Sequence, residues 1–223
     1  MVINSSGLSL INDKNDFLKL AAALSMIVDH VGLVFFPQIM PLRIIGRIAF
    51  PIFAAGIADG YRHTSNLKMY FYRLLFFGAI SQIPFMILFG KNELNIIFSL
   101  LLSLLFIFAC DKRKYWLALL IIIFAYFIKC DYGLYGIIMT SLFYFFRSQK
   151  LLLVVCLAAL SLLAYKVSDQ ILLLFSFLGF IPAIYFQQQL IKIKLPKHFF
   201  YWFYPLHLIA LIFIKYFIAL WPK

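Results

Sequence analysis

The chain has 223 residues, of which 65% are hydrophobic and only 13% charged, and its mean hydropathy is +0.99. Soluble domains carry roughly 45–50% apolar and about 25% charged residues, and a chain of this size has too little interior to hide the excess. The composition predicts one integral-membrane domain over residues 1–223 and excludes soluble enzymes, secreted disulfide scaffolds and disordered chains. The net charge of +12 is better explained by topology-setting loops and contact with the lipid bilayer than by a nucleic-acid partner.

Apolar segments separated by charged or Pro/Gly-bearing breaks predict an all-α, polytopic transmembrane helical bundle of about nine spans, with eight or ten as alternatives. A helix needs roughly 20 residues to cross a bilayer, so 133–146 is the least secure of them. Residues 1–16 are polar, and we expect no cleavable signal peptide there. The expected spans are 17–36, 42–60, 71–90, 94–110, 115–130, 133–146, 150–165, 170–190 and 199–221.

The distribution of basic residues predicts the orientation. With the N-terminus inside, thirteen of the 20 Lys and Arg residues fall on the inner side and the remaining seven do not. Inner loops are enriched in Lys and Arg. We therefore expect a cytoplasmic N-terminus and, with nine spans, an external C-terminus.

The first span contains three ionisable residues, and such residues inside a bilayer are functional candidates because their burial is costly. Lys19 lies near its start, and Asp29 and His30 lie well inside. Lys19 and His30 are eleven positions apart, close to three helical turns, so they share one face about 16 Å apart. Asp29 points about 100° away from His30.

The second span runs back along the first and predicts two polar layers. Arg47 should lie level with His30, and Pro51 should kink the helix. Gly46 and Gly56 should allow a neighbour or ligand to approach closely. The layer in the membrane consists of Asp29, His30 and Arg47, and the layer at the cytoplasmic rim consists of Lys19, Asp59, Arg62 and His63.

The segment YRHTSNLKMYFYR continues this rim. It interleaves basic residues with aromatic ones: Tyr61, Arg62, His63, Lys68, Tyr70, Tyr72 and Arg73. One interpretation is a positive inner loop with an aromatic belt. The other is a clamp for an anionic cofactor, since Arg and Lys bind phosphate through charge-assisted hydrogen bonds.

Polar residues in two later spans need partners inside the bilayer. Ser81 and Gln82 lie in the third span, and Tyr204 and His207 lie in the last. His207 is either part of a packed interface or a second functional site. Cys110, Cys130 and Cys156 resemble neither a disulfide framework nor a metal site, and no metal-ligand, P-loop or nucleophile-elbow motif is present. Haem ligation by two histidines has no support in their spacing, and the matched halves of a transporter are absent.

Three stretches in this order resemble the TraX family of integral-membrane proteins, whose best-known members acetylate the N-terminus of conjugative pilin. They are KLAAALSMIVDHVG, IIGRIAFPIFAAGIADGYRHTSNLKMYFYRLLFFGAISQIPF and FYWFYPLHLIAL. The resemblance covers the first 90 residues and returns near 199–211, while the middle spans match only in hydropathy. It implies a bacterial cytoplasmic (inner) membrane protein that passes the membrane several times.

The chain is also distantly similar to membrane acyltransferase family 3, in which an Arg-x10-His pattern lies on the first helix. Here Lys19-x10-His30 takes its place. In that group the His is taken as catalytic and the acyl-coenzyme A enters from the cytoplasm. Lys in place of Arg keeps the charge but loses the planar fork that binds phosphate through two hydrogen bonds.

Residues and resemblance together predict an acetyltransferase that uses acetyl-CoA. His30 is the expected general base, because imidazole titrates near physiological pH. Asp29 would orient it through a bend or a water, and Arg47 would balance Asp29 or stabilise the oxyanion. Lys19, Asp59, Tyr61, Arg62, His63, Lys68 and Arg73 are the expected cofactor-binding residues.

Two alternatives stay open at this point. The acceptor is either the N-terminal amine of a pilin or a hydroxyl of a cell-surface glycan. The rival function is non-enzymatic, either a permease or an assembly subunit.

Overall fold

The computed structural model describes residues 5–168, 170–185, 195–196 and 198–220, with side chains from residue 16 onward. Within these ranges the regular structure is helical, apart from an isolated bridge between Leu94 and Cys130. The all-α fold is therefore confirmed. The helices are α1 (Ser5–Phe35), α2 (Met40–Gly46), α3 (Ala49–His63), α4 (Leu67–Phe89), α5 (Ile96–Asp111), α6 (Tyr115–Phe127), α7 (Gly133–Phe145), α8 (Lys150–Ser168), a 3-10 helix (Ile171–Ser176), α9 (Phe177–Tyr185) and α10 (Phe199–Leu220).

Each predicted span has a helical counterpart. Most ends lie within a few residues of the expected ones, but α1 begins at Ser5, twelve residues before the expected start at 17. Five helical segments in the described part are long and apolar enough to cross a membrane: Asp16–Phe35, Met40–His63, Leu67–Phe89, Lys150–Ser168 and Phe199–Leu220. The other counterparts, Ile96–Asp111, Tyr115–Phe127, Gly133–Phe145 and Ile171–Tyr185, are apolar but shorter. The number of spans and the orientation stay predictions. Residues 186–190 and 221 of the last two expected spans, and Lys192, Lys194, Lys197 and Lys223 of the charge count, lie outside the described residues.

The kink expected from Pro51 is present, one turn before the proline. The backbone N–H groups of Arg47 and Ile48 donate to the carbonyls three residues earlier, at 3.1 and 3.2 Å, and this tightened turn separates α2 from α3. Proline has no N–H and its ring clashes with the carbonyl four positions earlier, here that of Arg47. The break therefore lies beside Arg47, a residue of the predicted membrane layer.

Two glycines bring α1 and α2 into close contact. A Cβ on Gly32 would lie 2.7 Å from the Cβ of Leu42, and a Cβ on Gly46 would overlap the side chain of Asp29. The expected close approach at Gly46 is thus confirmed, and the neighbour is the acidic residue of α1. At Gly56 no atom lies within 4 Å of the Cβ position, so that glycine faces open space.

Helix α3 packs against α1, α5, α7 and α9 and contributes much of the core. The bundle exposes large apolar side chains elsewhere, for example Leu119 and Phe127 on α6 and Leu151 and Val167 on α8. Exposed apolar surface of this extent requires a hydrocarbon environment.

The polar residues of the third span have partners, as expected. The hydroxyl of Ser81 donates to the carbonyl of Phe77 at 2.6 Å. Gln82 donates to the carbonyl of Glu93 at 2.8 Å and accepts from Asn95 at 3.0 Å. Gln82 thereby fixes the connection between α4 and α5.

A histidine pair and a basic inner rim form the candidate active site

The two histidines that the sequence places in the first and last spans meet in the structure. Nδ1 of His30 lies 2.9 Å from Nε2 of His207, although the residues are 177 positions apart. Their rings are 5.1 Å apart and inclined by 13°. The edge of Phe89 packs against His30, while His207 is 8% exposed and stacks on Phe203. Tyr204, the other second-site candidate, is buried with its ring 5.4 Å from that of His207.

The hydrogen bonds of His207 determine which histidine is the donor and which is the acceptor in this pair. Nδ1 of His207 lies 3.0 Å from the carbonyl oxygen of Phe203, which can only accept, so Nδ1 carries the proton. In a neutral imidazole the other nitrogen is then an acceptor. Nε2 of His207 therefore accepts from Nδ1–H of His30. It follows that Nε2 of His30 carries the lone pair that a general base requires.

Asp29 is held by two arginines of α2 and its junction with α3. Nε of Arg43 and Nη2 of Arg47 both lie 2.9 Å from Oδ1 of Asp29, and Arg47 also reaches Oδ2 at 3.1 Å. The side chains of Asp29, Arg43 and Arg47 are 12%, 18% and 11% exposed. A partly desolvated carboxylate with three charge-assisted hydrogen bonds is fixed in place.

These contacts distinguish between the two roles expected for Arg47, which were to balance the charge of Asp29 or to stabilise the oxyanion. Arg47 balances Asp29, one of the two expected roles, and its Nη1 donates to the hydroxyl of Tyr132 at 2.8 Å. Both terminal nitrogens are therefore engaged, and the geometry does not favour Arg47 as the oxyanion donor. Asp29 faces α2 and His30 faces α10, in agreement with their expected divergence.

Lys19 and Asp59 meet, as the sequence predicts, at the end of the bundle predicted to be cytoplasmic. They line one small cavity with Leu18, Ile52 and Gly56, which lies between α1 and α3. Lys19 also pairs with Asp16 at 3.4 Å and lies 5.7 Å from the ring centre of Phe200. This cavity lies on the Gly56 side of α3, where the chain leaves open space.

Tyr61 and Arg62 belong to a neighbouring cluster rather than to that cavity. Tyr61 and Tyr144 each donate to the carboxylate of Asp111 at 3.0 Å. Arg62 donates to the backbone carbonyl of Tyr144 and lies 4.8 Å from the centre of its ring. The cluster joins the C-terminal ends of α3, α5 and α7.

His63, Lys68 and Arg73 do not line the cavity that contains Lys19, and their described side-chain contacts lie elsewhere. Nδ1 of His63 lies 2.9 Å from the carbonyl of Asp59, within its own helix. Lys68 lies over Tyr72 and Arg73 over Tyr70 at the start of α4. Their role as ligands of a cofactor stays a prediction.

Sequence reasoning missed four residues of these sites. Arg43 lies at the start of the second predicted span, where the sequence indicates only a charge near the membrane surface. Tyr132 has a left-handed backbone, φ 64°, that no sequence pattern marks. Arg147 forms an ion pair with Asp59, and Lys150 lies 4.9 Å from the ring centre of Tyr185. Their only signal in the sequence was a positive charge beside a short span.

The described residues include no group of three or more His, Cys, Asp or Glu side chains suited to hold a metal ion.

Comparison with known proteins places this arrangement in a family. The family model described as "TraX protein" matches residues 14–215, a range that contains every site residue above. The chain belongs to the TraX family. It is a membrane protein, as its apolar helices and its family both indicate. The more distant resemblance to membrane acyltransferase family 3 stays a prediction.

Three relatives are similar over part of the chain. A "Probable fimbrial assembly protein FimC, serogroup H1" of Dichelobacter nodosus is 32% identical over 55% of the chain and 58% of the relative. An uncharacterized protein of Rickettsia prowazekii (strain Madrid E) is 37% identical over 42% of the chain and 36% of the relative. "Protein TraX" of Escherichia coli is 28% identical over 66% of the chain and 63% of the relative. The chain thus spans less than two thirds of each relative's length, and no solved structure matches it.

Proposed function

We propose that this protein is an integral-membrane acetyltransferase that moves an acetyl group from acetyl-CoA to an acceptor at the membrane. The observation that carries the proposal is the orientation of the histidine pair, which leaves Nε2 of His30 as an unprotonated nitrogen inside the bundle. Acyl transfer needs such a base to take a proton from the attacking group.

The reaction would proceed by proton transfer through this nitrogen. The acceptor nitrogen or oxygen attacks the thioester carbonyl while its proton passes to Nε2 of His30. The tetrahedral intermediate collapses, the C–S bond breaks, and the imidazolium returns its proton to the departing thiolate of coenzyme A. His207 would act as a positioning residue, because its Nε2 fixes the ring and the tautomer of His30.

The inner rim carries a cation, Lys19, and an adjacent cavity, which are the features expected where the phosphates of acetyl-CoA bind. Lys19 lies on the face of α1 that carries His30, about 16 Å away along the helix. The residues of α3 that line the cavity beside it extend from Asp59 to Ile52, a rise of about 10 Å along the helix. A phosphate-bearing donor held at the rim would therefore extend its pantetheine arm inward, past Gly56.

Family membership favours pilin as the acceptor over a cell-surface glycan. The name of the Dichelobacter nodosus relative refers to fimbrial assembly, and the resemblance to the TraX family implies acetylation of pilin. An acetyl-CoA-dependent enzyme needs a site facing the cytoplasm. We therefore propose a multi-pass protein of the bacterial cytoplasmic membrane with its N-terminus inside, in agreement with the distribution of Lys and Arg.

The test is acetyl transfer by the purified protein in lipid nanodiscs, with labelled acetyl-CoA and either a pilin N-terminal peptide or a glycan as acceptor. His30→Ala should lower transfer by roughly 10²–10⁴-fold, the usual contribution of a positioned base, and leave coenzyme A affinity unchanged. His198→Ala is the matched control, because His198 lies before α10 with its ring 6.2 Å from that of Tyr201 and is not part of the pair. Failure of the wild-type protein to transfer acetyl to either acceptor would favour the rival permease or assembly subunit.

A further inference from the structure

A cavity of about 90 Å³ opens at the inner rim between α3, α8 and α9. Asp59, Arg147, Lys150 and Tyr185 line it. Ala55, Asp59 and Ala183 also border the smaller cavity that contains Lys19. The two spaces therefore adjoin along one side of α3. Lys19 approaches them from α1, and Arg147 from the turn between α7 and α8.

The charges around this cavity are mainly positive. Arg147 pairs with Asp59, whose side chain is 12% exposed, and Lys19 pairs with Asp16. Among the described residues, no carboxylate lies within ion-pair distance of Lys150. Lys150 also begins α8, where the helix dipole favours an anion.

We infer that Arg147 and Lys150 bind a phosphate group of the acyl donor in this cavity, with Asp59 giving up its contact with Arg147 as the phosphate arrives. The inference rests on the proposed function and adds two binding residues to it. A guanidinium that binds a carboxylate is equally suited to a phosphate, which offers the same pair of acceptor oxygens and more charge. Asp59 thus competes with the phosphate, because its carboxylate pairs with the same guanidinium.

This arrangement predicts opposite changes in coenzyme A affinity when Arg147 and Lys150 lose their charges and when Asp59 loses its charge. Arg147→Gln combined with Lys150→Gln should weaken binding of coenzyme A at least tenfold, and the effect should shrink as salt is raised. Asp59→Asn should tighten binding, because it removes the competing carboxylate and leaves Arg147 free. A damaged fold cannot explain tighter binding of coenzyme A. The Asp59→Asn variant therefore distinguishes a specific role of Asp59 from misfolding.

The experiment is titration calorimetry of the full-length protein in nanodiscs, with coenzyme A as the probe. Lys114→Gln is the matched control: it removes one charge on the same predicted side, where Lys114 lies over Phe108 and lines neither cavity. Binding that is weakened by the double variant, strengthened by Asp59→Asn and unchanged in the control would support the inference. Equal affinity of the double variant and the wild type would overturn it and leave the proposed function intact. Absence of coenzyme A binding by the wild type would overturn both.

Discussion

Nδ1 of His30 donates a hydrogen bond to Nε2 of His207 at 2.9 Å, and this contact joins the first helix of the bundle to the last. His207 is in turn anchored by the carbonyl of Phe203 in its own helix. In both hydrogen bonds Nδ1–H is the donor: that of His30 donates to His207, and that of His207 donates to the carbonyl of Phe203. Nε2 of His30 is therefore the nitrogen that keeps its lone pair. In the proposed mechanism the imidazole of His207 takes the positioning role for which many enzymes use a carboxylate.

The first prediction concerns His207 as that positioning residue. His207→Ala should lower the kcat of acetyl transfer with little change in KM for acetyl-CoA, because it releases the ring of His30 without touching the donor site. His207→Gln should lose less activity, since its side-chain oxygen can still accept from His30. Steady-state kinetics on the folded fraction of each variant measures whether kcat falls in the order wild type, His207→Gln, His207→Ala. Wild-type kcat in His207→Ala would show that the pair has no role in transfer.

The second prediction concerns the buried charges around Asp29. Asp29→Asn would leave the guanidiniums of Arg43 and Arg47, each no more than 18% exposed, without their counter-charge. Loss of one partner of a buried pair typically destabilises by about 3–5 kcal/mol. Thermal unfolding in a fixed detergent should show a large drop in Tm. The double variant Asp29→Asn with Arg47→Gln should recover part of it, and strictly additive losses would contradict a coupled network.

The third prediction uses two glycines with opposite surroundings. Gly46→Ala would place a methyl group into the side chain of Asp29 and should destabilise by about 1–3 kcal/mol, the usual effect of overpacking. Gly56→Ala is the control, because its Cβ meets no atom within 4 Å. Alanine is favoured over glycine inside a helix by up to about 1 kcal/mol, so the control should be neutral or stabilising. Equal Tm shifts for the two variants would contradict the packing described at Gly46.

Hydropathy was sufficient to predict the helices for two reasons. A segment inside a bilayer must form all its backbone hydrogen bonds within itself, and the thickness of the membrane sets its length. Helical periodicity was sufficient to place Asp29 and Arg47 at one level and Lys19 near Asp59, since both pairs lie on adjacent antiparallel segments. It could not place His207 beside His30, because the order of helices around a bundle is decided by packing over the whole chain. The same holds for Arg147 and Asp59, which are joined only when α7 and α8 pack beside α3.

A fourth prediction concerns topology, which the distribution of Lys and Arg indicates but the fold alone does not determine. Truncations fused to a reporter that is active only in the cytoplasm should be active after Lys114, which ends the turn between α5 and α6. The same reporter fused after residue 223 should be silent, because nine crossings leave the C-terminus outside. Activity at both positions would require an even number of crossings, and the short helix Gly133–Phe145 is the first candidate not to cross.

The last prediction concerns the path of the acyl donor along α3. Gly56 leaves open space beside the cavity that Lys19 and Asp59 line, and the proposed pantetheine arm passes there. Gly56→Leu should extend into this space and raise KM for acetyl-CoA by at least tenfold, because its Cβ position is open and the longer side chain lies in the proposed path. Tm, measured in parallel, tests whether the longer side chain is accommodated. Gly56→Ala, a much smaller addition, should change KM little. A Gly56→Leu protein with normal KM and normal Tm would show that the donor reaches His30 by another route, whereas a large loss of Tm would show that the space closes in the membrane-embedded protein.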